Sequence, residues 1–220
     1  LGRESEIVDE YLKAGTDGIF LRPANPLGMA GKTWSQTGLS PEEFLEFYRR
    51  RLAYIIKLNL SGKKFYEYFS LIFLKKLLRN EDAGYLDLRS PCGAGTGQLA
   101  YNYDGGVFAC DEARMLHEMG DSSFRLGDAR KNSYAQVINS PVVKCLAVAS
   151  CLQSQTACSA CADKPYCGTC PVLNYVEHND LFGHMPESFK CRVNSGVLAQ
   201  LRRLMRNKKT LAVFNSWLHS

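Results

Sequence analysis

Four cysteines fall within thirteen residues in the segment CSACADKPYCGTCP, which runs from Cys158 to Pro171. They form two C-x2-C pairs, Cys158 with Cys161 and Cys167 with Cys170. Thiolates at this spacing are aimed at one centre, because the short turn between them lets both sulfurs point inward. The spacing by itself leaves three chemistries open: disulfides, one tetrahedral zinc ion, or a larger metal group. The chain has nine cysteines, and Cys92, Cys110 and Cys191 lie outside the segment. That is more than a four-coordinate structural zinc site uses. Disulfide frameworks belong mainly to short secreted chains. Here the first ninety-one residues contain no cysteine, and the polar start LGRESEIVDEYLKAG lacks signal-peptide character. Reduced thiols and a cytoplasmic location are therefore the expectation.

Taken in order, Cys92…Gly105-x4-Cys110…Cys158-x2-Cys161-x5-Cys167-x2-Cys170…Cys191 closely resembles the SPASM domain, the C-terminal module of many radical S-adenosylmethionine (SAM) enzymes that modify peptides. The usual family pattern has three residues between the last pair of the four-cysteine run, where this chain has two. The stretches YLDLRSPCGAGTGQLAYNYDGGVFACDEARML, FRLGD and PYCGTCPVLNY, with the upstream FLRPANPLGMAGKT, resemble the radical SAM maturase of the His-Xaa-Ser peptide-modification system. The likeness runs over nearly the whole chain and is densest from Tyr85 to Cys191.

This resemblance implies two auxiliary [4Fe-4S] clusters. Carried over residue by residue, Cys92, Cys110 and Cys170 hold the first, and Cys158, Cys161, Cys167 and Cys191 hold the second. The sets cross, because Cys170 leaves its neighbours to serve the other cluster, as cysteine runs do in two-cluster ferredoxins. The first set is one ligand short of four. Cys145 or Cys151, which match no motif position, or His117 could complete it, or the position could stay open to water or a substrate group. The apolar run VVKCLAVASCL favours Cys145 and Cys151 as ordinary buried thiols. The alternative reading is a zinc-stabilised interaction module with no redox role.

A radical SAM enzyme needs a further [4Fe-4S] cluster that binds SAM, held in most of the superfamily by C-x3-C-x2-C. No two cysteines here are four positions apart. The chain also has no initiator Met. It is therefore expected to be the C-terminal portion of a longer enzyme, inactive alone, with SAM bound only by the full-length parent. The implied partners are a peptide substrate and a companion maturase, with no nucleic acid and no membrane. The substrate and the bond formed are not written in these residues.

Weaker signals surround this set. CGAGTGQ, Cys92 to Gln98, imitates a phosphate-binding loop, but alternation follows it where such a loop should open a helix. Its glycines fit better with backbone passing close to a cluster and donating N–H groups to sulfur. Asp111 and Glu112 read as a solvated turn after a strand, whose adjacent residues face opposite sides. Arg114 could offset cluster charge. His117, His178, His184 and His219 show no metal-binding pair spacing. Arg22 would end a barrel strand, where such folds place their chemistry.

The elements that position these residues divide near Tyr85. The expected fold class is an α/β fragment, the last βα units of a partial radical SAM barrel, followed by a loop-rich α+β SPASM domain with a β-hairpin and a C-terminal helix. The expected boundaries are 1–84, 85–195 and 196–220. SEIVDEYLKAG reads as a helix ending at Gly15, and GIFLRPANPLG as a buried strand running into a Pro/Gly loop. In the segment Ser40 to Gly62, Ser40 is the N-cap, Pro41 is at the first helical position and Gly62 follows the end. KFYEYFSLIFLKKLLRN reads as a second, more apolar helix. Asp104-Gly105 is the strongest hairpin signal. NSYAQVINSPVVKCLAVAS suggests short helices, Cys151 to Cys191 mostly loop, and SGVLAQLRRLMRNKKTLAVFNSWLHS one amphipathic helix.

Composition sets mild limits. The 220 residues are 45% hydrophobic and 22% charged, as in an ordinary soluble globular protein. The net charge of +5 owes much to Arg202, Arg203, Arg206, Lys208 and Lys209, a weak argument for an acidic partner. No apolar run approaches the roughly 20 residues of a membrane span, since YFSLIFLKKLL is broken by Lys75 and Lys76.

Overall fold

The computed structural model describes residues 5–219. The first four residues of the expected N-terminal segment, and residue 220, lie outside the described part. In chain order the elements are α1 (Glu6–Lys13), β1 (Gly18–Ile19), α2 (Met29–Thr37), α3 (Pro41–Leu60), β2 (Tyr66–Glu67) and α4 (Tyr68–Leu74). There follow β3 (Ala100–Tyr101), β4 (Gly106–Phe108), α5 (Asp111–Glu118), β5 (Arg125–Asp128), α6 (Tyr134–Ile138) and α7 (Pro141–Ser150). The chain ends with α8 (Thr156–Ser159), α9 (Pro171–His178), α10 (Phe189–Met205) and α11 (Lys208–Leu218). The content is mixed α/β and mostly helical, with no helix among the described residues long and apolar enough to cross a membrane. The chain forms two compact units. One comprises Leu1–Pro23, Leu39–Ala83 and Arg192–Ser220, and the other Ala24–Gly38 and Gly84–Cys191.

In the first unit β1 and β2 pair in parallel, Gly18 opposite Tyr66 and Ile19 opposite Glu67. Parallel strands need a long crossover connection, and α3 lies within it. Its start follows the sequence: the Ser40 side chain accepts from the Glu43 N–H, and the Glu43 carboxylate accepts from the Ser40 N–H. This capping box satisfies two otherwise orphaned donors. Phe44, Tyr48, Leu52, Ile55 and Ile56 of α3 are buried, and the buried Trp217 of α11 donates its indole N–H to Asn59 at 3.1 Å.

Two expectations are corrected here. KFYEYFSLIFLKKLLRN is not one helix: Tyr66 and Glu67 form β2 before α4 begins, and Lys75–Arg79 close the segment as a π-helix. The buried Glu67 carboxylate makes the switch, accepting from the Leu21, Phe69 and Ser70 N–H groups at once. The C-terminal segment is likewise two helices and not one. The Asn207 side chain accepts from the Lys209 and Thr210 N–H groups and restarts the chain as α11.

The second unit is built around the three-stranded antiparallel order β3-β4-β5. The hairpin turns at Asp104-Gly105 as its sequence requires: Gly105 has φ +91° and the Asp104 carboxylate accepts from the Gly106 N–H at 2.8 Å. β5, from the FRLGD stretch, adds the third strand. Behind the sheet, Phe108, Ala113, Leu116, Phe124, Leu146, Val172 and Leu173 form one core with Cys110 and Cys170. α9 occupies part of the Cys151–Cys191 stretch expected to be mostly loop.

Candidate metal centre: two sets of cysteines

All nine cysteines are free thiols in this structure. Cys110 lies two residues beyond β4 and caps α5, where its sulfur accepts the Ala113 N–H at 3.4 Å. Cys170 immediately precedes Pro171 and caps α9. Both thiols thus sit at helix N-termini, where the dipole favours a thiolate. Cys92 follows a 3-10 turn, Leu86–Leu88. Its N–H donates to Ser150 Oγ at 3.0 Å, and its sulfur accepts the Ala94 N–H at 3.4 Å. The glycine loop therefore does supply an N–H to sulfur, and no helix follows it.

Gly168, two residues before Cys170, packs against the segment that leads to Cys92. Its α-carbon lies directly against the backbone of Asp87 to Arg89, where a β-carbon would collide with the Asp87 carbonyl. The PYCGTC run and the segment leading into Cys92 can pass this closely only at a residue without a side chain.

The electrostatics divide the seven thiols. Burial pushes Cys110 far up, and the charges of Glu112, Cys170 and Cys92 add to it. Burial pushes Cys170 up to about 12, with Asp87 and Glu112 also raising it and Lys190 opposing. Cys92 is raised by burial, again with Lys190 opposing and Asp87 and Glu112 reinforcing. Elsewhere burial raises Cys191 to about 11, and there the reinforcing thiols are Cys167, Cys158 and Cys161. Cys158, raised first by burial, feels Cys167 and Cys161. Cys158 lies on α8, Cys161 is exposed just after it, Cys167 follows the 3-10 turn Lys164–Tyr166, and Cys191 is in the first turn of α10.

The donors fit iron-sulfur ligation in kind: sulfur only, buried or half-buried except for the exposed Cys161, with backbone N–H groups on the sulfurs of Cys92 and Cys110. Raised thiols such as Cys110 and Cys170 keep their protons until a metal displaces them, so loading releases protons. Among the described residues, no three His, Cys, Asp or Glu side chains gather as tightly as a single ion demands.

The other expected residues fall elsewhere. Cys145 is exposed and not buried as its apolar run suggested, because it sits on the outer face of α7. Cys151 donates to Gln153 at 3.3 Å. His117 Nδ1 lies 2.8 Å from Ser122 Oγ, with its ring against Phe108. Asp111 and Glu112 are not in a turn. They open α5, where Asp111 pairs with Arg114 at 2.8 Å. His178 and His184 stack at 4.5 Å, and Arg22 is exposed beyond β1. Lys190 went unnoticed in the sequence. Its Nζ lies 3.5 Å from Asp87 Oδ2, and burial pulls its pKa down while Asp87, Cys170, Cys92 and Tyr85 outweigh that and hold it up.

Residues 92–171 match the SPASM family, described as an iron-sulfur cluster-binding domain. No curated protein matches the chain. Among solved structures, "Native anSMEcpe with bound AdoMet and Cp18Cys peptide" is similar at TM-score 0.65 and 13% identity, over 97% of this chain and 55% of that one. "Native anSMEcpe with bound AdoMet" is similar at TM-score 0.56 and 14% identity, over 82% of this chain and 44% of that one. The chain thus spans about half the length of these structures, and the likeness is one of fold. Within that shared fold, residues 92–171 match the SPASM iron-sulfur cluster-binding domain.

Proposed function

We propose that this chain is the iron-sulfur portion of a radical SAM enzyme that modifies a peptide, of the kind found in the His-Xaa-Ser system. Cys92, Cys110 and Cys170 hold one [4Fe-4S] cluster, and Cys158, Cys161, Cys167 and Cys191 hold the other. Residues 1–84 are the end of the partial barrel, with β1 and β2 among its last strands. Residues 85–195 are the cluster domain, and 196–220 the C-terminal helical segment. SAM and the radical-forming cluster belong to the rest of the enzyme, which is cytoplasmic and works on a peptide together with a companion maturase. When bound, the two clusters supply sites for one-electron transfer or substrate ligation.

The observation that carries this reading is the company kept by Cys170. It belongs to the same sequence run as Cys158, Cys161 and Cys167, yet it acts with Cys92 on Cys110, whereas the thiols that act on Cys191 are Cys167, Cys158 and Cys161. One ring of four thiols around one ion would not be arranged so. The peptide-bound relatives of similar fold support the substrate class.

Anaerobic reconstitution of the chain with iron and sulfide tests the reading. The expected product is brown and holds about eight irons per chain, the arithmetic of two four-iron clusters. A colourless protein that takes up stoichiometric zinc and no iron overturns it in favour of a zinc module.

A further inference from the structure

We propose that Lys190, anchored by Asp87, is the fixed cation of the three-cysteine centre and makes the two iron-sulfur centres electrostatically unequal. This rests on the reading that both thiol sets hold clusters.

Lys190 and Cys191 are consecutive in the first turn of α10. Successive helix residues point about 100° apart around the axis, at 3.6 residues per turn. Cys191 keeps company with Cys158, Cys161 and Cys167, whereas Lys190 acts on Cys92 and Cys170. One helical turn thus serves both centres, with a ligand for one and a charge for the other.

The lysine is held in place and shielded from water. Its side chain is 14% exposed, that of Asp87 is 26% exposed, and they meet at 3.5 Å. Asp87 is itself fixed by the contact of its carbonyl with Gly168. Partly buried charges are screened much less than surface ones. Glu112 acts on all three thiols, and Glu177 is a further carboxylate that Lys190 influences. Lys190 is thus a counter-charge to the Cys92 and Cys170 sulfurs and to these carboxylates. In the other set the nearby Lys164 is half-buried and spends its ammonium on the Ser159 carbonyl at 2.6 Å.

A [4Fe-4S] cluster gains one negative charge when it accepts an electron, and no proton need move. A shielded cation beside it favours the reduced form and raises its potential. Removing the cation lowers the potential, and removing the neighbouring anion raises it.

The test is a redox titration of the anaerobically reconstituted chain, with dithionite as the one-electron donor and electron paramagnetic resonance as the readout. The signal of the three-cysteine centre is identified as the one missing from Cys170→Ser. Lys190→Met is expected to lower the reduction equilibrium constant of that centre about tenfold, which is 59 mV for one electron, and to leave the other centre within threefold. Lys190→Arg stays within threefold at both. The inference is overturned if Lys190→Met moves neither centre, or moves both alike. Should Lys190→Met fail to fold or to retain iron, Lys190→Gln, which also removes the charge, carries the same expectation and the same overturning results. Failure of the unmodified chain to bind iron overturns the function itself and is read before any variant.

Discussion

Gly168 lies against Asp87 so closely that a β-carbon would overlap the Asp87 carbonyl and come within 2.9 Å of the Leu88 α-carbon and 3.0 Å of the Arg89 carbonyl. All three obstacles are backbone, so no side chain can swing aside. Gly168→Ala must push the PYCGTC run away from the segment that carries Cys92, the segment Cys170 has to meet. Overpacking of this kind costs about 1–3 kcal/mol. The expected outcome is a lower thermal midpoint together with loss of iron from the three-cysteine centre, measured as iron per chain after reconstitution. Full iron and an unchanged midpoint would show that the contact positions nothing.

Single cysteine replacements separate the two sets. Cys170→Ser and Cys110→Ser should each remove the same spectroscopic signal and about four of about eight irons, while Cys161→Ser removes the other signal. Cys145→Ser should leave iron content unchanged, since that thiol matches no position of the cysteine pattern. If Cys170→Ser and Cys161→Ser abolish the same signal, the crossed assignment fails.

Much of this frame is legible in the residues themselves. Ser40, Pro41 and Glu43 specify the start of α3, and Asp104-Gly105 specifies the hairpin, because each rests on interactions between near neighbours. What escaped the sequence depends on distant groups. Tyr66 and Glu67 read as helix, but pairing with Gly18 and Ile19 makes them a strand. The break at Asn207 hides because the residues on both sides favour a helix, and one amide side chain decides it. The proposed departure of Cys170 from its own run cannot be deduced from C-x2-C spacing and comes only from family resemblance. Lys190 looks like any surface lysine until Asp87, 103 positions away in sequence, is placed beside it.

Acid should loosen the outer end of the β4–β5 pair. The Asp128 carboxyl is held down at about 2 by its hydrogen bonds to the Arg130 side chain and N–H. A carboxyl lowered in the folded state contributes stability that is present above its unfolded value of 3.8 and lost as pH falls through about 2. Asp128→Asn should therefore flatten this part of the acid limb between those values, followed by circular dichroism of the metal-free chain. An acid limb identical in both proteins would show that Asp128 contributes nothing to it. The group lies at the surface, so the effect should shrink in high salt.

The buried Glu67 carboxylate gives the last prediction, in the first unit. Oε1 accepts the Leu21 and Phe69 N–H groups, both at 3.0 Å, and Oε2 accepts the Ser70 N–H and hydroxyl, both at 2.6 Å. Tyr48 lies 2.5 Å from the same hydroxyl. Glu67→Gln keeps the shape but turns one acceptor into a donor facing donors. Stranding a buried N–H costs about 1–3 kcal/mol, enough to lower the urea midpoint visibly. Burial nevertheless raises the Glu67 carboxyl above 4.5, with the hydrogen bonds pulling the other way. A raised carboxyl contributes stability that is full below its unfolded value and declines as pH rises through the folded one. The gap between the native chain and Glu67→Gln should thus be widest in acid and narrow as pH climbs past 4.5. A gap that widened with pH would mean that four hydrogen bonds outweigh the cost of burying the charge, and that Glu67 is an anion held by its donors.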